Sequence, residues 1–186
     1  MKNLYVVIYF IFGSLLINLS CLNNYAFSNE VKSINWVSLQ EAFELAEESP
    51  KKIIVYLHTD WCGYCKRMNE ITFQNPIIID IINEQYYPVK FNGETIDTIK
   101  YRGVEYINRT EGRRGAPHDF TLALLQNKVG YPAFSFFDEE LNVIFAVKGF
   151  HNPKKFEPVL MFFAEDAYYD YDDMDSYIIK FQSSFE

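Results

Sequence analysis

A second metal-ligand pair is what this sequence lacks. It holds only three cysteines and three histidines in 186 residues, and beyond one closely spaced cysteine pair there remain Cys21, His58, His118 and His151, none at ligand spacing. Structural zinc takes four ligands, commonly two Cys pairs or Cys with His, so no metal is expected. Basic charge is also short: 17 Lys and Arg against 25 Asp and Glu leave a net charge of −8. Without a basic stripe, nucleic acid is a poor partner, because binding it needs clustered cations to neutralise phosphates. Repeats and low-complexity tracts are missing. The acidic run over residues 165–175 lacks the glycine and spacing of an EF-hand loop, which argues against calcium. Apolar material is plentiful, with 49% hydrophobic and 18% aromatic residues, enough for one folded domain with its own core.

Two of the three cysteines stand in Trp61-Cys62-Gly63-Tyr64-Cys65-Lys66, directly after the apolar run 53–57. A strand followed at once by a helix would deliver the pair to a helix N-terminus. Unpaired backbone N–H groups and the positive end of the dipole favour a thiolate there. Cys62 is the candidate nucleophile. Cys65, one turn further in, is placed to resolve a mixed disulfide formed on Cys62. A purely structural disulfide is a weaker explanation, because closing a four-residue loop removes only about 2 kcal/mol of unfolded-state entropy.

The N-terminus points to export. Lys2 is followed by a nearly uncharged stretch from residue 4 to 22, then by Ala26-Phe27-Ser28 ahead of the first acid, Glu30. That pattern reads as a secretory signal over residues 1–28 with a cut after Ser28. An uncleaved membrane anchor, or a lipid anchor on Cys21, are the alternatives. Cutting after Ser28 would leave Cys62 and Cys65 as the sole thiols of an exported protein.

Along the rest of the chain, Ser38 and Glu41 form a capping box for a helix with Leu39, Ala42, Phe43 and Ala46 on one face. A buried strand is expected over residues 52–59, a helix from 62 to about 70, and a second helical piece over 77–85. A strand over 87–91, reached through helix, should run parallel to the first. Strands over 133–138 and 143–149 flank the turn Asp138-Glu139-Glu140, and residues 153–164 read as helix. Tyr177, Ile178, Phe181 and Phe185 recur at helical spacing and predict a last amphipathic helix.

On the order α-β-α-β, then β-β-α, with the Trp61–Met68 segment followed by Thr72-Phe73, the chain resembles the thioredoxin superfamily, specifically its secreted bacterial thioredoxin-like members. The resemblance spans about residues 37–164 within a domain of 29–164. Val129-Gly130-Tyr131-Pro132-Ala133 looks like that family's cis-proline loop. The resemblance implies a thioredoxin fold, a central mixed sheet flanked by helices, with an insertion at about 94–118 and an extra C-terminal helix. It also implies a thiol-disulfide oxidoreductase whose redox group is the Cys62–Cys65 disulfide, with no other cofactor. Trp61, Gly63, Tyr64, Tyr131 and Pro132 would hold protein thiol or disulfide clients. A membrane or periplasmic redox partner would sustain turnover. The rival is a metal- or client-binding module of the same fold without redox turnover.

Departures from the family are as informative. Thioredoxin carries a buried acid six residues before the first cysteine, where this chain has Tyr56. A phenol with a pKa near 10 is no base at neutral pH, which leaves His58, Asp60 or water to take the proton from Cys65. Residues 94–118 bring Arg102, Arg109, Arg113 and Arg114 with Tyr101 and Tyr106 into an acidic protein. That segment either flanks the active site or forms a solvated hairpin. Asp119 is expected to cap a short helix behind it, and residues 165–175 read as a solvated linker.

Overall fold

The computed structural model describes residues 32–111 and 113–185. The expected signal, its cut after Ser28 and the alternative roles of Cys21 lie outside the described residues. The elements in chain order are α1 (Leu39–Glu48), β1 (Ile53–His58), α2 (Gly63–Glu70), a 3-10 turn (Thr72–Gln74), α3 (Pro76–Gln85) and β2 (Tyr87–Asn92). Then come β3 (Ile99–Tyr101), β4 (Val104–Tyr106), α4 (Asp119–Leu124), β5 (Ala133–Phe137), β6 (Val143–Lys148) and α5 (Pro153–Ala164), followed by a 3-10 turn (Ala167–Tyr169) and α6 (Met174–Lys180).

Four strands form one sheet in the order β2-β1-β5-β6. β1 runs parallel to β2 with Ile53 opposite Tyr87 and His58 opposite Asn92. It runs antiparallel to β5, which pairs antiparallel with β6. This is the thioredoxin topology. Alternation along β1 explains its central place: Ile54 and Tyr56 enter a core with Phe134, Phe136, Phe156 and Phe163, whereas Ile53, Val55 and Leu57 enter another with Phe43, Val89, Phe120 and Phe137. A strand apolar on both faces must be covered on both. α2, α3 and α5 supply one cover, α1 and α4 the other.

The capping box of α1 forms as expected, with Ser38 accepting from the Glu41 backbone and Glu41 reaching back. Three expectations need correction. α4 is capped by His118 rather than Asp119: the imidazole Nδ1 accepts from Phe120 N–H at 3.0 Å, and Asp119, one residue later, pairs with Arg109 at 2.8 Å. The last helix ends at Lys180. Phe181 turns extended, and it and Phe185 pack on the core from a non-helical tail, with Tyr177 buried from the helix itself. The acidic segment is no free linker, because Asp166 and Ala167 are drawn in.

Asp166 shows how. Lys52, at the start of β1 and only 4% exposed, lies 2.8 Å from Glu139 and 2.9 Å from Asp166. Burial alone would lower the Lys52 pKa, but the hydrogen bonds that its ammonium donates to both carboxylates, with their charge, outweigh burial and raise it. Asp166 is pushed up by burial and down further by Lys52 and Tyr168, ending below the ordinary value. Glu157, a carboxylate buried inside α5, anchors the tail by accepting from Ser183 Oγ at 2.6 Å and Ser184 N–H at 2.9 Å.

Asp166 has a left-handed backbone, φ 58°, which asparagine tolerates well. Asp166→Asn should therefore test charge alone. Because Lys52 keeps Glu139 and the Asp166 side chain is about half exposed, the loss should be about 0.5–1 kcal/mol in urea unfolding at pH 7. The folded pKa of Asp166 is depressed, so its stabilisation is full above the unfolded value and fades as pH falls through the folded one. The gap between wild type and variant should close at the acid end of that range.

Candidate active site

β1 ends at His58, whose carbonyl accepts from Gly93 N–H at 2.8 Å, and Cys62 N–H then donates to Thr59 O at 3.2 Å. That short turn brings the chain round so that Cys62 is the N-cap of α2. Cys65 N–H donates to Cys62 Sγ at 3.0 Å. The two cysteines are joined as a disulfide, with Cα atoms 5.2 Å apart, and both are buried. No acidic residue stands in the first turn of α2, so nothing within that turn opposes the dipole's pull on a thiolate formed at Cys62 on reduction.

Around the pair lies an aromatic apron. Trp61 and Tyr64 are 44% and 63% exposed. Gly63, also exposed, has open space where a Cβ would stand. Tyr64 packs on Phe150 at 6.3 Å, and the Arg67 guanidinium lies over the same ring at 5.1 Å. Tyr131 meets Trp61 edge-on at 6.2 Å, and the Tyr131–Pro132 peptide is cis. Thus the residues preceding Cys62 and Pro132 touch. Burial, with the Glu94 carboxylate nearby, pushes the Tyr131 hydroxyl up to about 12.

Sequence reasoning missed the groups that hold this apron. Trp61 Nε1–H donates to Glu94 Oε2 at 3.0 Å, Gly115 N–H donates to Glu94 Oε1 at 2.8 Å, and Arg114 lies over the indole at 5.7 Å. A Cβ on Gly93 would run into the Tyr131 ring, so only glycine admits that side chain. The signal lay in strand register: with His58 opposite Asn92, residues just past β2 stand beside residues just past β1. Asp60, Trp61, Asn92, Glu94 and Arg114 together line a cleft of about 370 Å³ beside the dithiol. The insertion therefore has two parts. Its ends reach the active site, whereas its middle is a β3-β4 hairpin docked through Tyr101 and Tyr106 onto Phe120, with Tyr101 Oη donating to Leu141 O at 2.6 Å.

At the position of the missing acid, Tyr56 is fully buried and donates its hydroxyl to Cys65 O at 3.1 Å. Burial drives its pKa far above the ordinary phenol value, so it supports the cysteine's backbone and takes no proton. His58 stacks on Tyr56 with centroids 5.5 Å apart. Burial lowers its pKa first, and Lys90 lowers it further, which leaves it neutral at neutral pH. Asp60 is exposed on the turn before Trp61.

A family model for a thioredoxin-like domain matches residues 39–164. The chain belongs to the thioredoxin-like family. Among solved structures, this thioredoxin-like chain is similar to a thioredoxin from Thermus thermophilus, at 20% identity and TM-score 0.51, over 69% of this chain and 85% of that one. It is also similar to a thioredoxin-fold protein from Helicobacter pylori, at 18% identity and TM-score 0.52, over 70% of this chain and 84% of that one. These likenesses speak to the fold. A protein of Archaeoglobus fulgidus, described as uncharacterized, is 36% identical over 63 residues, 34% of this chain and 50% of that protein. The chain thus spans about half the length of the curated relative it matches. A thioredoxin-like fold that carries a Cys62–Cys65 disulfide is, in general terms, the framework of a thiol-disulfide oxidoreductase.

Two outcomes follow. Tyr56→Phe should lose one hydrogen bond, about 0.5–1.5 kcal/mol in urea unfolding, and leave the pH profile of thiol exchange unmoved, because the phenol never ionises in the working range. His58, His118 and His151 all have pKa values lowered chiefly by burial. A lowered folded pKa means the unfolded chain binds more protons, so stability should be full above the ordinary histidine range and fall as pH drops through it. Thermal melts at about pH 7.5 and pH 5 should show the drop, and His58→Gln should remove part of it.

Proposed function

We propose that this protein is a secreted thiol-disulfide oxidoreductase that exchanges disulfides with protein thiols through Cys62 and Cys65, in the periplasm. The observation that carries the reading is Cys62 as the N-cap of α2, its sulfur accepting the Cys65 N–H. The same N–H would favour the thiolate after reduction. In the reducing direction, the Cys62 thiolate attacks a client disulfide, forming one S–S bond to the client and expelling the client's other sulfur as thiolate. The Cys65 thiolate then attacks Cys62 Sγ. The Cys62–Cys65 bond forms, the mixed bond breaks, and the client leaves with two electrons and both its thiols. Oxidation of a client is the same sequence reversed.

Trp61, Gly63, Tyr64, Tyr131 and Pro132 are the client platform in this reading. An exposed aromatic surface beside a shielded disulfide suits an unfolded or extended polypeptide. The proton released from Cys65 passes to water or through His58 or Asp60, since Tyr56 is unsuited to receive it. A membrane or periplasmic redox partner returns the pair to its starting state, and residues 1–28 serve for export.

Insulin reduction with dithiothreitol tests the reaction. The wild type should accelerate it, Cys62→Ser should fall to the uncatalysed rate, and Cys65→Ser should accumulate mixed disulfides visible on non-reducing gels. Wild-type protein that neither accelerates reduction nor equilibrates with glutathione, together with a Cys65→Ser variant that traps nothing, would sink the proposal in favour of a binding module.

A further inference from the structure

A second cleft lies at the other end of the sheet from the cysteines. Its cavity is about 480 Å³, with Phe145 of β6, Phe162 and Phe163 of α5, and Tyr168 and Tyr171 as walls. The same cavity is bounded by Asp172, Asp173 and Asp175, and no basic residue lines it. Its distance from the dithiol follows from register: Lys148 of β6 pairs with Ala133 next to Pro132, whereas Phe145 pairs with Phe136 further along β5. Tyr168 also donates to Asp166, the partner of Lys52 at the start of β1.

Three features fix the occupant's chemistry. Aromatic faces with carboxylates at the rim attract a cation through ring quadrupole and charge together. The chain's own Lys180 ammonium already lies over the Tyr171 ring, at 5.2 Å, and it is exposed and free to yield that face. Finally, β6 is the last strand of its sheet, with no strand on its outer side among the described residues, and its Phe145 is 56% exposed. An open strand edge accepts an extended chain, whose side chains alternate between faces and so drop at every second position toward the cleft.

We propose that the edge of β6 and this cleft bind an extended segment of a partner polypeptide rich in arginine or lysine. One basic side chain enters between the tyrosines with its charge against Asp172 and Asp175. The site is independent of the thiol chemistry, so loss of one leaves the other testable.

The test is fluorescence anisotropy of a labelled peptide of alternating arginine and valine titrated with the full chain, beside a matched peptide of glutamate and valine. The arginine peptide should bind saturably and the glutamate peptide should not. Asp172→Asn with Asp175→Asn, both at exposed positions, should weaken binding about fivefold, whereas Glu47→Gln with Glu48→Gln, the same charge removed from α1, should change it less than about twofold. Phe145→Ser should weaken it as well. Equal weakening by the two double variants would reduce the effect to general charge attraction and overturn the proposal. So would absence of binding, or sedimentation showing that the wild type pairs with itself through this edge and that Phe145→Ser separates the copies.

Discussion

Burial of β1 on both faces is the constraint from which the rest follows. Its side chains are split between two cores, so the strand can neither slide nor flip without moving an apolar set into the wrong layer. Because register is fixed, the end of the strand is fixed. That end sets the turn at Thr59, the turn sets Cys62 as N-cap, and the N-cap sets the sulfur under a backbone N–H. The chemistry of a single atom is thus decided by packing several residues earlier.

The missing acid illustrates how far substitution at such a strand can go. In a position facing the α2 side, Tyr56 fills volume among Phe73 and Phe134 and uses its one polar atom to tie down Cys65. A carboxylate there would titrate; a phenol at this depth does not. The phenol offers no proton acceptor in the working range and instead holds the backbone of the second cysteine.

Local pattern carried much of this in the sequence. The capping box at Ser38 and Glu41, the apolar run of β1, the paired cysteines and the Tyr131-Pro132 step each depend on residues close together in the chain, and each reads directly. What did not read depends on register or on long-range closure. Glu94 and Arg114 stand on Trp61 because β2 is parallel to β1 and level with it, which no spacing between residues 61 and 94 expresses. His118 displaced Asp119 as a cap because the cap is decided by where the backbone enters the helix, within one residue. The tail after Lys180 kept the apolar spacing of a helix while adopting extended backbone, since Phe181 and Phe185 needed only to reach the core. The acidic segment looked solvated because its anchor, Lys52, lies more than a hundred positions earlier in the chain.

Glu157 ties residues 183 and 184 to the middle of α5. Its side chain sits inside α5 with Ser183 and Ser184 as its partners, so the tail beyond α6 supplies the donors that a buried acceptor requires. Without those residues the buried acceptor would lose its tail donors on the face of the sheet that also carries α2. A short extended tail therefore completes the same layer that holds the active-site helix in place.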